Sequence, residues 1–399
     1  MSVNKGICLD IVRTQEGMTD LFRLEKECPA RSIFQTEIWM DTWWNIYKEG
    51  KVPFAGKLTR SGDTVALFPL YMRKRGSGPW ARRELRLVGT GEKVETDFHD
   101  FLACKDLDDG ELTSLFIYFL EQTKASWDGI VLSDFDEASR IHGALVRHGN
   151  IFPYRTILEK GEECPYQDLP ETKDRYVKEY LSSTFRRRLK NKTNKLQRET
   201  NFSFSIHDGR SDLGEVMRRF AEIHQTWWTG RGEKGAFHDP QKADFLNTIA
   251  VRLGAEGELF LSLLTIDGQL ASGRLGFLHD GVVYDYQASH NPKFLKSSPG
   301  LVCVCKTIEA AIDRGVRRFE ALRGTEPYKK HFTRTSRWTY KLRIFNNTSR
   351  GTLNFLIARS GAEYITRKLA SVVDEIGRIL RKKGTSPVAS SEQTSETDE

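Results

Sequence analysis

The chain has 399 residues, 39% hydrophobic and 11% aromatic, enough apolar side chain for packed cores over most of its length and more than one core needs, so two domains are expected. Its 61 Lys and Arg against 54 Asp and Glu give a formal charge of +7, which suits an anionic partner without choosing among a nucleotide, a phospholipid surface and nucleic acid. No apolar run approaches the roughly 18 residues of a membrane span. The first residues, MSVNKGICLDIVRTQ, lack an apolar signal core, so a cytoplasmic location is expected. The six cysteines are scattered, with only Cys303 and Cys305 close together and no C-x-x-C spacing, so reduced thiols and no metal site are expected.

In chain order, the first half reads as a strand (Ile7–Val12), a helix near Glu16–Cys28 and an aromatic helix from Thr36 to Tyr47. Trp39, Trp43, Trp44 and Tyr47 recur at roughly helical spacing, which suits core packing better than ligand stacking. A hairpin follows, VPFAGKLT–SGD–TVALFPLYMRKR, then a strand (Glu84–Val88) and a loop with Asp97, His99 and Asp100. The helix Glu111–Lys124, the strand Gly129–Ser133, a helix over Glu137–His148 and a strand near Pro153–Leu158 complete this half.

The linking segment DRYVKEYLSSTFRRRLKNKTNKLQRET places Val177, Leu181, Phe185, Leu189 and Leu196 near one helical stripe, with Arg186, Arg187, Arg188, Lys190, Lys192, Lys195 and Arg198 on the other faces. Three readings are open: a solvated amphipathic helix, a positive wall guiding an anionic ligand, or peripheral contact with nucleic acid or an anionic membrane surface. Aromatics hardly interleave with these charges, so no stable nucleic-acid partner is expected.

The second half repeats the theme of the first. KLTRSGDTVALFPLY aligns with LLTIDGQLASGRLGF, turn on turn, and WDGIVLSDFD mirrors RGVRRFEALRG, which suggests a duplicated α/β unit. The most informative stretch runs from Gly281 to Lys330: the strand GVVYDYQASH, a SSPG turn, an apolar helix (Leu301–Arg314) and FEALRGTEPYKK. A strand, a turn and a helix N-terminus in that order form a ready anion site, suited to a pyrophosphate. Lys296, Ser297, Ser298 and Gly300 are its candidates, against the alternative of a plain helix-capping turn.

These pieces, together with the basic FRRRLKNKTNKLQRE helix, IHQTWWTGRGEKGAF, DGQLASGRLGF and the N-terminal FQTEIWMDTWW, resemble the cellulose-biosynthesis acetyltransferase family (CelD/BcsL-like, also called BioF2-like). The resemblance implies an α/β (α+β) fold of tandem GNAT-like modules, each a mixed twisted sheet flanked by helices and distantly similar to FemABX peptidyltransferases. It places a first module over 1–170 and an acyltransferase module over 171–350. A C-terminal helix (351–383) and a disordered tail (384–399) are expected to follow. It implies acetyl-CoA or another acyl-CoA as donor and a sugar or other small molecule as acceptor, in exopolysaccharide or envelope assembly. KSSPG stands where the usual Gln/Arg-x-x-Gly-x-Gly/Ala phosphate loop would be, which leaves room for an aminoacyl-tRNA donor or for a basic scaffold without chemistry.

Direct acyl transfer needs a held thioester, deprotonation of the acceptor and donors for the developing oxyanion, but no protein nucleophile. His224 is a candidate general base or, alternatively, a packed histidine. Asp285, alternating with Tyr284 and Tyr286, faces away from both and is a second proton acceptor. Glu320 and Glu326 are candidates for orienting the acceptor, and Tyr328 for protonating the departing thiolate. Gln287 joins the donor-binding set, while Arg231, Tyr286, Arg323 and Lys329 are candidates for acceptor binding.

Overall fold

A computed structural model describes residues 6–76, 81–91, 94, 96–149 and 152–360. The first half contains β1 (Ile7–Val12), α1 (Gln15–Arg23), α2 (Glu37–Tyr47), β2 (Val52–Pro53), β3 (Ala55–Arg60), β4 (Asp63–Phe68), β5 (Leu70–Arg75), β6 (Arg82–Leu87), β7 (Leu102–Ala103), α3 (Asp109–Thr123) and β8 (Gly129–Asp136). β9 (Arg155–Asp168), the short α4 (Lys173–Arg175) and the basic α5 (Ser183–Glu199) lead into the second half. There β10 (Phe202–His207), α6 (Leu213–Thr229), α7 (Pro240–Ala255), β11 (Leu259–Ile266), β12 (Gln269–His279), β13 (Val282–His290), α8 (Pro299–Asp313) and β14 (Arg318–Glu320) follow. β15 (Thr335–Phe345) and α9 (Ser349–Arg359) come last. The expected C-terminal helix is thus seen as far as Arg359; its part beyond residue 360 and the tail 384–399 lie outside the described residues.

The duplication is visible in the order of elements. Setting aside β2, β5 and β6, each half runs strand, two helices, three antiparallel strands, helix, strand, and the sheet orders β1-β3-β4-β7 and β10-β11-β12-β13 match. Both hairpins turn through two left-handed residues, Ser61 (φ 54°) and Gly62 (φ 99°) in one, Asp267 (φ 50°) and Gly268 (φ 76°) in the other. This is the two-residue turn whose twist matches that of paired strands. The second half's strands continue into one 11-stranded sheet, β10-β11-β12-β13-β14-β9-β15-β8-β6-β5-β2.

A shared aromatic core joins the halves. Trp39 on α2 packs edge-on to Phe245 of α7 at 5.1 Å and to Tyr286 of β13 at 5.5 Å, and Trp39, Trp43 and Trp44 are all buried. The core reading of that helix stands. All six cysteines are free thiols, and among the described residues no His, Cys, Asp and Glu cluster could hold a metal. No described helix is long and apolar enough to cross a membrane.

Four local expectations change. α1 ends at Arg23 and tightens into a 3-10 turn over Leu24–Lys26. The helix expected over Glu137–His148 is a π-helical segment, His142–Arg147. The strand expected near Pro153–Leu158 runs on to Asp168, because β15 pairs along nearly its whole length. The linking helix breaks at Leu181, which is extended (ψ 137°), and Ser182 restarts it by accepting a hydrogen bond from Phe185 N at 3.2 Å.

Candidate active site

The site begins where two parallel strands part. β13 pairs with β14 over only three residues, Val282 with Arg318, Val283 with Phe319 and Tyr284 with Glu320. β13 then continues to His290, while the other chain turns away through left-handed Leu322 (φ 54°) to bond β9, Ala321 N to Pro165 O and Gly324 N to Glu163 O, both at 3.0 Å. A cleft of about 1190 Å³ opens in the gap. It is lined by Tyr286, Gln287, Ala288 and His290 on one side and Ala321–Gly324 on the other.

A β-bulge shapes its floor. The register of β12 with β13 steps from Leu275–Gln287 to Gly276–Asp285, so Tyr286 is the extra residue. Ser289 lies on the α6 side, where its hydroxyl donates to Phe220 O, and Gln287 shares that face two residues earlier. Asp285 lies on the opposite, α8, side, away from Tyr284 and Tyr286 as its alternation suggests. The cleft therefore reaches both faces of the sheet.

On the α8 face the fully buried Arg274 of β12 clamps Asp285, Nε to Oδ1 at 2.9 Å and Nη2 to Oδ2. Nη2 also donates to the Tyr328 hydroxyl at 3.3 Å. Both carboxylate oxygens of Asp285 are occupied by a cation, so the proposed proton acceptor becomes a positioning group. Tyr328 lines the cleft with its oxygen held by Arg274. Arg274 itself was not among the sequence candidates. The signal was present in SGRLGF, an arginine in an apolar strand whose charge requires a buried partner.

On the α6 face, His224 lines the cleft and is 1% exposed. The Trp228 indole N–H, which can only donate, bonds His224 Nε2 at 3.0 Å. The nitrogen a base would use is thus taken, and burial pushes the imidazole down to about 4. The expected general base is a neutral ring with its proton on Nδ1. His290, half-buried beside the edge of Trp227 (5.6 Å) and 3.1 Å from Ser272 Oγ, is likewise pushed down to about 4, by desolvation and then by the Arg274 charge. Arg231 is exposed at the rim, its guanidinium 5.0 Å from the Trp227 ring centre.

The third wall is held by the first half. Arg323 receives Asp97 on its backbone N–H (3.1 Å) and Nε (2.7 Å), and reaches Thr96 O and Asp134. Lys329 is buried, its ammonium donating to Leu322 O, Arg323 O and Gly324 O and pairing with Glu326 at 3.0 Å. Both residues line the cleft, but their charges are spent on fixing the turn rather than on an acceptor. Glu320 is not among the lining residues. It is buried against Arg337 (2.7 Å), with Oε2 lacking a hydrogen-bond partner, and burial raises it to about 7 against the pull of Arg337 and Arg318. Glu326 does line the cleft.

Lys296, Ser297, Ser298 and Gly300 are not brought to this lining. They close a 3-10 turn, Pro292–Ser297, and start α8 through left-handed Ser298 (φ 54°). A Cβ on Gly300 would lie 2.5 Å from the His290 ring, so the close approach this glycine permits is that of an imidazole. Glu162, Trp227, Trp228, His290 and Asp97 join the lining as residues that sequence reasoning missed.

With this geometry established, residues 183–330 match the family described as an acetyltransferase (GNAT) domain. Carrying that domain, the chain is a GNAT-superfamily enzyme of the acyl-CoA-dependent class, with a mixed α/β fold consistent with a tandem GNAT architecture. Among solved structures, FemX superposes with a TM-score of 0.57 at 11% identity, covering 84% of this chain and 98% of that one. A conserved protein of unknown function from Bacteroides thetaiotaomicron VPI-5482 gives 0.51 at 10%, covering 85% and 100%. L-PGS from Bacillus licheniformis gives 0.50 at 14%, covering 87% and 96%. At such identities the likeness is one of fold alone. No curated protein sequence matches significantly.

Proposed function

We propose that the chain transfers an acyl group, acetyl in the simplest case, from acyl-CoA to an amine or hydroxyl of a sugar or small metabolite, in the exopolysaccharide or envelope setting that the CelD/BcsL-like resemblance suggests. The observation that carries this reading is the cleft through the gap between β13 and β14, open to both sheet faces. A transfer reaction needs two ligands to meet end to end in one water-poor passage. The β13 edge beyond Tyr284 has no strand partner in β14 and suits an extended, amide-bearing arm such as that of coenzyme A. What acyl-CoA supplies when bound is an acyl carbon activated as a thioester.

In this reading the chain's own residues divide the work. Tyr328, held by Arg274, offers its phenolic proton to the departing thiolate. Gln287 and Tyr286 line the passage at the bulge, and Arg323 and Lys329 fix the facing turn. The test is isothermal titration of the intact protein with acetyl-CoA. One-site binding at micromolar concentration is expected. A folded protein that takes up no acetyl-CoA would refute the donor assignment.

A further inference from the structure

Two surface elements take no part in lining the cleft, the basic helix α5 and the Pro292–Ser297 turn before α8, and they lie side by side. α5 packs down through Phe185, Leu189 and Leu196. Phe294 of the turn joins Leu189 and Leu196 in one apolar cluster with Val302 and Cys303 of α8.

The charge on α5 is unmatched. Seven of its 17 residues are Lys or Arg and one, Glu199, is acidic. Glu199 pairs with Lys195 at 3.6 Å, and among the described residues the other six cations have no acidic partner. Exposed arginines elsewhere are matched: Arg218 on α6 sits between Glu215 and Glu222, and Arg175 on α4 pairs with Glu179 at 3.0 Å. Like charges three or four residues apart, as in Arg188, Lys192 and Lys195, weaken a helix. Such a stripe gains stability from an anionic partner.

The turn adds an apolar contact. Lys293 and Lys296 are exposed, and between them Leu295 is 45% exposed. A leucine flanked by lysines, beside a cationic helix, suits a boundary where anionic headgroups give way to acyl chains. Nucleic acid would be served by exposed rings for stacking, but the one aromatic residue of α5, Phe185, is buried.

We propose that α5 and the Pro292–Ser297 turn form a docking face for an anionic lipid bilayer, with the cations against headgroup phosphates and Leu295 at the acyl boundary. His290, two residues before the turn, lines the cleft. Docking therefore sets one end of the cleft at the membrane surface, within reach of an acceptor carried on a lipid.

The test is co-sedimentation of the full chain with phosphatidylcholine vesicles, with and without phosphatidylglycerol. Binding is expected only where phosphatidylglycerol is present, and should be lost in high salt, which screens surface charge. Combining Arg188→Gln, Lys192→Gln and Lys195→Gln should weaken it on the order of a hundredfold, about fivefold for each charge. Leu295→Asp should weaken it about tenfold. All four side chains are exposed or half-buried, so the variants should fold. Wild-type protein that ignores phosphatidylglycerol overturns the proposal, as does vesicle binding that either variant leaves unchanged. Tighter binding to duplex RNA than to vesicles, unaffected by Leu295→Asp, also overturns it and marks α5 as a nucleic-acid face. Acetyl-CoA affinity should stay within about twofold in both variants. Loss of vesicle binding thus leaves the donor reading standing, and failure to bind acetyl-CoA leaves the docking face standing.

Discussion

The two halves begin from the same plan and differ at one place, the crevice between the third hairpin-linked strand and the strand after the helix. In the second half β13 and β14 part, and the gap becomes the cleft. In the first half the corresponding region, around His99–Phe101 before β7, is filled. Asp100 is buried there, accepting from Phe101 N and Ile141 N on one oxygen and from Arg140 N and Arg31 Nη1 on the other. His99 N bonds Asp134 O, and the His99 imidazole sits 2.6 Å from Thr96 Oγ1. The filled crevice then supports the open one, since Asp97 and Asp134 of the first half hold Arg323 of the second. A duplicated unit has thus diverged, one copy keeping an open cleft and the other using the same space to fix its partner's wall.

The sharpest way to break this contrast is Arg274→Leu in the open crevice. It strands the buried Asp285 carboxylate, and a loss of about 3–5 kcal/mol in urea unfolding is expected. The double variant with Asp285→Leu should recover most of that, because it removes the stranded charge. In the filled crevice, Asp100→Ala leaves three backbone donors and Arg31 without their acceptor, for an expected loss of about 2–4 kcal/mol. Its acetyl-CoA affinity should stay near wild type if the first half only supports the cleft. A large loss of affinity in a folded Asp100→Ala protein would mean that the filled half shares in binding.

The smallest effect lies at the seam between the halves, where Arg337 bridges Glu320 and Asp136. Burial raises Glu320 from its usual range to about 7, so the folded state holds its proton more tightly than the unfolded chain. Stability from this group is therefore fully present below pH 4.5 and lost as pH rises through about 7, by up to about 3 kcal/mol. Glu320→Gln should remove that component. Comparing wild-type and variant melting temperatures between pH 4.5 and 8 checks it, and parallel curves would refute it.

What the sequence disclosed was local. Alternation in VVYDYQASH told correctly that Asp285 opposes its tyrosines, and the x-G turns marked the duplicated hairpins. Pro299 at the start of α8 is likewise a short-range signal. What stayed hidden depends on partners far along the chain. Nothing near Asp285 announces that Arg274 neutralises it, and nothing near Arg323 points to Asp97, 226 residues away. His224 was read as a base or a packed ring, and the choice turns on which nitrogen Trp228 occupies, which spacing alone does not specify. Gly300 was read as room for a phosphate, whereas it makes room for His290, a residue ten positions earlier on another element.

The position of β15 bears on how this molecule is made on the ribosome. β8 and β9 meet only through β15, whose Arg337 contacts an Asp136 that left the peptidyl-transferase centre 201 residues earlier. At translation rates of about 5–20 residues per second, the nascent first half waits on the order of ten seconds or more with two strand edges uncovered. Its charged edge residues, including Arg155, Glu159 and Lys160 on β9, are then its defence against pairing with a neighbouring polysome product.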